Sequence, residues 1–329
     1  MKKRILVAVT AVVTVLAMSF SLAGCGGSEE NGSDGEAKKI TVVQQYGMAY
    51  APFQVMEAQG LIEKNYDGDL EVEFTQLNSG ASINDSFISG DVQVGAMGVG
   101  PAVTGALTGV GYKICSNMSA QPHRMMTNDS SVKSLKDIGE SDQIAVVNIG
   151  SMQHILLAMA CEKELGDAHA LDNNLAAMAH PDGMTSLISN SVKCQVTTSP
   201  YVFKEAAEGM TEVDVLSQVW PEGNSFIVAV ASQDLHDNDP ELYQAVVDAI
   251  AEACDYLTNN KEEAAEMLCE NEDVDAETML EWLNDPACSY STELKGVMDM
   301  ATFMSENGFL EVDGPKDISE LAYDNVEGK

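Results

Sequence analysis

The sequence predicts an α/β protein of two units, each around a largely parallel sheet, followed by a helical tail. Two observations carry this. Short β-branched and apolar runs alternate with helix-period segments from Ile40 to Met118, and the rhythm restarts at Ser134 and runs to Glu208. From Pro240 onward apolar residues recur almost only at helical spacing. With 329 residues, 45% of them hydrophobic, the chain is long enough for two ordinary cores.

The first 24 residues read as a leader. Lys2, Lys3 and Arg4 precede an apolar stretch, Ile5 to Met18, and then comes Leu22-Ala23-Gly24-Cys25. Length and flanking charge match a secretory signal, and the last four residues resemble a lipobox, which implies lipid on Cys25. A single anchor helix, or ordinary cleavage nearby, is the competing reading. Gly26 to Glu36 is small and acidic, and the segment 25–38 is expected to be a flexible tether. No other stretch has the roughly 18 consecutive apolar residues of a membrane span. The rest is therefore expected to be soluble, lipid-anchored at the extracytoplasmic face of the cell membrane.

Formal net charge is −35, and the leader holds basic residues but no acid, so the remainder is more acidic still. Such a chain does not bind nucleic acid or anionic lipid through its general field. Six cysteines follow Cys25: Cys115, Cys161, Cys194, Cys254, Cys269 and Cys288. Their spacing is neither that of a zinc nor of a redox site, and buried free thiols are expected. Pairing among Cys254, Cys269 and Cys288 stays open.

Taken in order, Ile40 to Tyr46 is a strand and Ala51 to Gly60 a helix stopped by its glycine. Leu70 to Leu77 alternates as a strand, Ser82 to Ser89 is a short helix, and Val92 to Met97 a strand. Pro101 to Thr108 is a proline-opened helix and Tyr112 to Met118 a strand. In the second unit Gln143 to Asn148, Leu175 to Ala179 and Val192 to Thr197 are strands. Met152 to Leu165, Asp182 to Asn190 and Tyr201 to Glu208 are helices. Pro240 to Leu257, Ala276 to Leu283 and Thr292 to Asn307 are three amphipathic tail helices, which need a surface to pack on. The first unit is the natural one. That predicts lobe one as 39–124 plus 226–329 and lobe two as 125–225, joined by a two-crossing hinge.

Three stretches then resemble the nitrate/sulfonate/taurine-type solute-binding proteins of ABC importers. They are Leu77-Asn78-Ser79-Gly80-Ala81, Ile88-Ser89-Gly90-Asp91-Val92-Gln93-Val94-Gly95 and Gly98-Val99-Gly100-Pro101-Ala102. Ser134 to Ile138, Gly150-Ser151-Met152, His180-Pro181-Asp182-Gly183-Met184 and Thr197-Thr198-Ser199-Pro200-Tyr201 continue the likeness, which runs from about residue 40 to 223. Gln93 departs from it, standing where a second acidic residue is usual. The resemblance implies an α/β type II periplasmic-binding-protein fold, two lobes closing on a small-molecule ligand, and delivery to a permease with a cytoplasmic ATPase. A monomer with no cofactor and no catalysis is expected.

The ligand is expected where loops meet at the carboxyl ends of strands. The residues expected there are Tyr46, Tyr50, Asn78, Ser79, Gly80, Gly98, Gly100, Gly150, Ser151, Gln153, Thr198, Ser199 and Tyr201. Helix-start N–H groups suit an anionic or polar head, glycines permit close approach, and tyrosines offer stacking faces. Each glycine also has a plain reading as turn geometry, and each tyrosine as half-buried core. Arg124, the sole arginine after the leader, can clamp a carboxylate or sulfonate bidentately. A hinge ion pair with a nearby acid is its competing role.

His123, His154, His169, His180 and His236 form no metal-binding pattern, and surface or capping roles are expected. Met125, Met126, Met152 and Met159 are expected to fill core. Phosphate-loop, nucleophile-elbow and dinucleotide fingerprints are missing. Two rival classes remain: a lipid-anchored enzyme of the same fold acting on a pyrimidine or aromatic precursor, and an anchored ligand sensor.

Overall fold

The computed structural model describes residues 37–326 and 328. The leader, Cys25 and most of the tether lie outside the described residues. Lys38 does not belong to the tether: it begins β1 (Lys38–Gln44), pairs with Leu70, and places its ammonium on Asp239 at 2.6 Å. The chain continues through α1 (Ala51–Gln59), α2 (Leu61–Asn65), β2 (Leu70–Gln76), α3 (Gly80–Ser89), β3 (Val94–Gly98), α4 (Val99–Leu107) and β4 (Tyr112–Ala120). Then come β5 (His123–Thr127), β6 (Ile144–Val146), α5 (Met152–Leu165), β7 (Leu175–Ala177), α6 (His180–Ile188), β8 (Cys194–Thr198), α7 (Tyr201–Ala207) and β9 (Thr211–Val213). β10 (Ile227–Ser232), α8 (Gln233–Asn238), α9 (Pro240–Asn259), α10 (Lys261–Leu268), α11 (Ala276–Leu283), β11 (Ser289–Tyr290) and α12 (Val297–Glu306) complete it.

Two sheets result, in the orders β11-β4-β10-β3-β1-β2 and β7-β6-β8-β5-β9. They are mixed rather than largely parallel. β1 runs parallel to β2 and β3, and β6 to β7 and β8. β10 enters antiparallel between β3 and β4, and β5 antiparallel between β8 and β9. The cause is connectivity. Each of these two strands arrives straight from the other sheet, without the crossover helix that a parallel entry requires.

Local sequence explains the elements that frame the cleft. Val42 and Val43 are successive yet both fully buried, because β1 has helices on both faces. β2, at the sheet edge, alternates instead, and exposed Glu71 and Glu73 share Lys39 at 3.3 and 3.0 Å. α9 opens at Pro240 behind an Asp239 cap and buries Leu242, Val246, Ile250, Ala253 and Leu257 along one stripe. That stripe lies on α1 and α2, while α10 packs on α1 and α12 on α4. Four tail helices, preceded by short α8, replace the expected three. α10 escaped the pattern because its buried residues, Ala264, Ala265 and Leu268, are mostly small and are flanked by glutamates.

The six described cysteines are unpaired, five of them buried. The histidines depart from expectation. His123, His154 and His180 are buried, each held by neighbours that a sequence pattern does not reveal.

Candidate functional site

Between the two sheets lies a cavity lined by Gln45, Tyr46, Tyr50, Gly80, Gly98, Ser151, Gln153, His180 and Thr198, with Asn148, Phe226 and a few apolar neighbours closing it. The cavity is small, about 20 Å³. Four helices begin on this cavity: α3 at Gly80, α4 behind Gly98, α5 behind Ser151 and α6 at His180. Helix starts carry positive dipole ends and spare N–H groups; here some are already bonded, Val99 N to the Phe226 carbonyl, Ser82 N to Ser79 and His154 N to Ser151, which leaves the rest for an occupant.

Among the described residues no Asp, Glu, Lys or Arg side chain lines the cavity. Its polar groups are neutral. Burial pushes the pKa of His180 down to about 4, so the ring is uncharged near neutrality. The ring stacks on Tyr201 with centroids 5.2 Å apart, and its Nε2 lies 3.1 Å from Gln153 Nε2, which donates to it. Thr198 is 2% exposed and its hydroxyl has no partner among the described residues; Asn148 Oδ1 is likewise unpartnered there. Such groups are costly unless something arrives to bond them.

Two glycines let the halves approach. A Cβ on Gly98 would stand 2.7 Å from Met152 Cβ, and one on Gly100 would collide with Ile155. Both contacts join α4 with α5, across the cleft. Farther out, Phe203 stacks on Trp282 at 5.6 Å, and Lys204 reaches Glu272 at 2.9 Å, so α7 is held against the tail helices.

Of the expected residues, Tyr46, Tyr50, Gly80, Gly98, Ser151, Gln153 and Thr198 come together on the cavity wall. The others serve it indirectly or not at all. Ser79 caps α3, its hydroxyl accepting from Ser82 N at 3.2 Å, and Asn78 is exposed. Gly150 turns the chain at φ +81°, Gly100 packs on Ile155, and Ser199 donates its hydroxyl to the Gln121 side chain. Tyr201 backs His180 from behind. Arg124 is displaced from the site. Its Nε reaches Glu212 at 3.0 Å and a terminal nitrogen reaches Glu222 at 2.8 Å, an ion-pair role at the crossing that leaves no free fork for a ligand.

Sequence reasoning missed Val147, Asn148, Phe226 and Ile227 as wall residues; the resemblance put the loop that His180 opens among the cleft loops, but the ring itself was not expected on the wall. Asn148 lies just past a strand's carboxyl end, a position the rule for open sheets singles out. His180 opens a helix within the His-Pro-Asp-Gly loop, and its burial carried no signal. Phe226 and Ile227 line the cavity because the second crossing passes beside it.

Two mixed sheets joined by two crossings, with a small cavity at their strand ends, define a periplasmic-binding-protein fold. The chain belongs to the NMT1-like family, which matches residues 34–270. Solved structures agree in fold. The ligand-binding component of an ABC-type import system from Staphylococcus aureus, solved with zinc bound, superposes with a TM-score of 0.70 at 13% identity over 87% of this chain and 96% of that one. For the periplasmic aliphatic sulphonate-binding protein of Escherichia coli the values are 0.66, 15%, 89% and 94%. For the periplasmic nitrate-binding protein of Synechocystis they are 0.68, 15%, 84% and 83%. A search of curated proteins by sequence finds no match.

Proposed function

We propose that this protein is the extracytoplasmic solute-binding receptor of an ABC importer. It captures a small nitrate-, sulfonate- or taurine-like solute between its lobes and hands it to a permease driven by an ATPase. The observation that carries this reading is the cavity itself: four helix starts and an unpartnered threonine hydroxyl around a space with no charged side chain among the described residues. Backbone N–H groups in such an arrangement suit an oxyanion without a cation to trap it.

The lobes on this reading are 39–124 with 226–329, and 125–225, and lipid on Cys25 holds a monomer at the extracytoplasmic face of the cell membrane. Binding rather than catalysis is favoured by the state of the two side chains best suited to chemistry. Ser151 spends its hydroxyl capping α5, accepting from His154 N at 3.2 Å, and His180 Nε2 is taken by Gln153.

A thermal-shift panel of nitrate, alkanesulfonates, taurine, pyrimidine precursors and aromatic carboxylates tests this. A solute at a hundred times its Kd stabilises the folded state by about 2.7 kcal/mol, a readily measured shift. A flat response to the whole oxyanion set would overturn the substrate class. Permease and ATPase genes beside this one separate importer from sensor.

A further inference from the structure

Behind the start of α5 a row of polar groups runs from the cleft loop to the end of α12. The N–H of Gly150, next to Ser151 of the cavity wall, donates to His154 Nδ1 at 2.9 Å. His154 therefore carries its proton on Nε2, which lies 3.4 Å from Asp172 Oδ1. The other carboxylate oxygen, Oδ2, meets His169 Nδ1 at 2.8 Å, and His169 Nε2 meets the carbonyl oxygen of Asn307 at 2.8 Å. Asn307 is the C-cap of α12, which packs on α4, whereas α5 packs on β8. The row thus starts beside the five-stranded sheet and ends on a helix of the six-stranded one.

His169 is the member of the row that can change state. Both of its ring nitrogens face acceptors with no hydrogen to give. A neutral imidazole has one N–H and makes one of these bonds; only the imidazolium makes both. The end of α12 suits that cation, because its last carbonyls carry the negative end of the helix dipole. The Asn307 carbonyl, and after it the Asp172 carboxylate, hold the pKa of His169 above its usual value. Burial holds the pKa of His154 down, so that ring stays neutral. Among the described residues the titratable groups facing His169 are Asp172 and Asp167 of its own loop and His154 of α5. From the α12 side it meets the Asn307 carbonyl and the Phe309 ring, stacked at 4.9 Å, and neither titrates.

We propose that His169 is a proton-dependent clasp between the two lobes, which the closed receptor holds charged and the open receptor releases. Parting the lobes takes Asn307 from the ring and leaves Asp172 alone to keep the proton. The inference rests on the receptor reading above and adds its regulation: capture of the solute takes up a proton, and affinity is highest in acid. The sign follows from linkage. A group whose pKa is higher in the closed form favours closure fully below its open-form value, and ceases to as pH rises through its closed-form value.

The experiment is calorimetric titration with nitrate and with methanesulfonate, two probes whose own charge is constant from about pH 5.5 to about pH 9. Repeating it in buffers of different ionisation enthalpy counts the protons taken up. Wild type is expected to take up a measurable fraction of a proton per solute near neutral pH and to lose about fivefold or more in affinity across that range. His169→Phe keeps a ring against Phe309 but no charge; it should take up no proton there and show a flat profile. Asp172→Asn, which keeps an acceptor without the anion, should shrink the uptake. The His169 side chain is 46% exposed, so its substitution leaves the core intact, and Asp172→Asn decides the matter should it not fold. If a probe binds wild type with no proton uptake and a flat profile, or if His169→Phe keeps the wild-type uptake, the clasp is wrong and the receptor reading stands. If neither probe binds, the oxyanion class fails and the clasp falls with it.

Discussion

The Nε2 of His123 lies 2.8 Å from the carbonyl oxygen of Trp220, 97 residues further along the chain. His123 opens β5, the first crossing, and Trp220 precedes the second, so one imidazole ties the two together. Burial holds the pKa of His123 below its usual value, and the neutral ring has one N–H to give. The Trp220 carbonyl, nearer than that of Gln121 at 3.1 Å, is the better recipient.

Replacing His123 with leucine leaves that carbonyl buried without a donor. The expected loss is about 1–3 kcal/mol of folding stability, measured by urea unfolding. His123→Gln, which retains an N–H, should recover part of it. Equal losses in both variants would show that ring packing against Phe226, not the hydrogen bond, matters here.

Ser151 and Thr198 both line the cavity but hold different jobs. Thr198→Ala removes a hydroxyl with no partner among the described residues, so affinity should fall about fivefold or more with the melting temperature unchanged. Ser151→Ala also removes a helix cap, and about 1 kcal/mol of stability should go with it. Titration and melting of the two variants side by side check the split.

Gly98 has an ordinary φ of −58°, so alanine suits its backbone. What alanine does not suit is the contact with Met152. Gly98→Ala is expected to fold normally, to bind ligand at least tenfold more weakly, and to show a larger radius of gyration in saturating ligand by X-ray scattering. A variant as compact and as tight as the wild type would remove the close approach of α4 and α5 from the closure mechanism.

Glu205 is fully buried on α7, and burial pushes its carboxyl up to about 8 from an ordinary 4.5. The folded state therefore keeps the proton that the unfolded chain releases. The stability this neutral group allows is complete below about pH 4.5 and is lost as pH climbs to about 8. Glu205→Gln, which is never charged, should be more stable than the wild type by on the order of 4 kcal/mol at pH 8. Near pH 4.5 the two should converge. Parallel denaturation curves across that range decide it.

Much of this was legible beforehand because a period of two and a period near 3.6 separate strands from helices in most of the first 208 residues. The alternation also located the loops, and half of the expected site residues do line the cavity. What periodicity does not encode is direction. Ile227 to Ser232 is an apolar run in any topology, and only its neighbours β3 and β4 show that it enters reversed. Partners are equally silent: nothing local to Arg124 names Glu212 and Glu222, and nothing around His180 announces that Tyr201 will cover it. Small-residue helices such as α10 blur the pattern for the same reason that they pack well.

The position of β10 has a consequence for biogenesis. A chain made from its N-terminus completes β3 and β4 about a hundred residues before the strand that belongs between them exists. Until then both strands carry an unpaired edge toward an open slot. The six-stranded sheet therefore cannot be completed ahead of the five-stranded one. A fragment ending before Ile227 keeps the slot for good, and the strand that fills it will come from another copy.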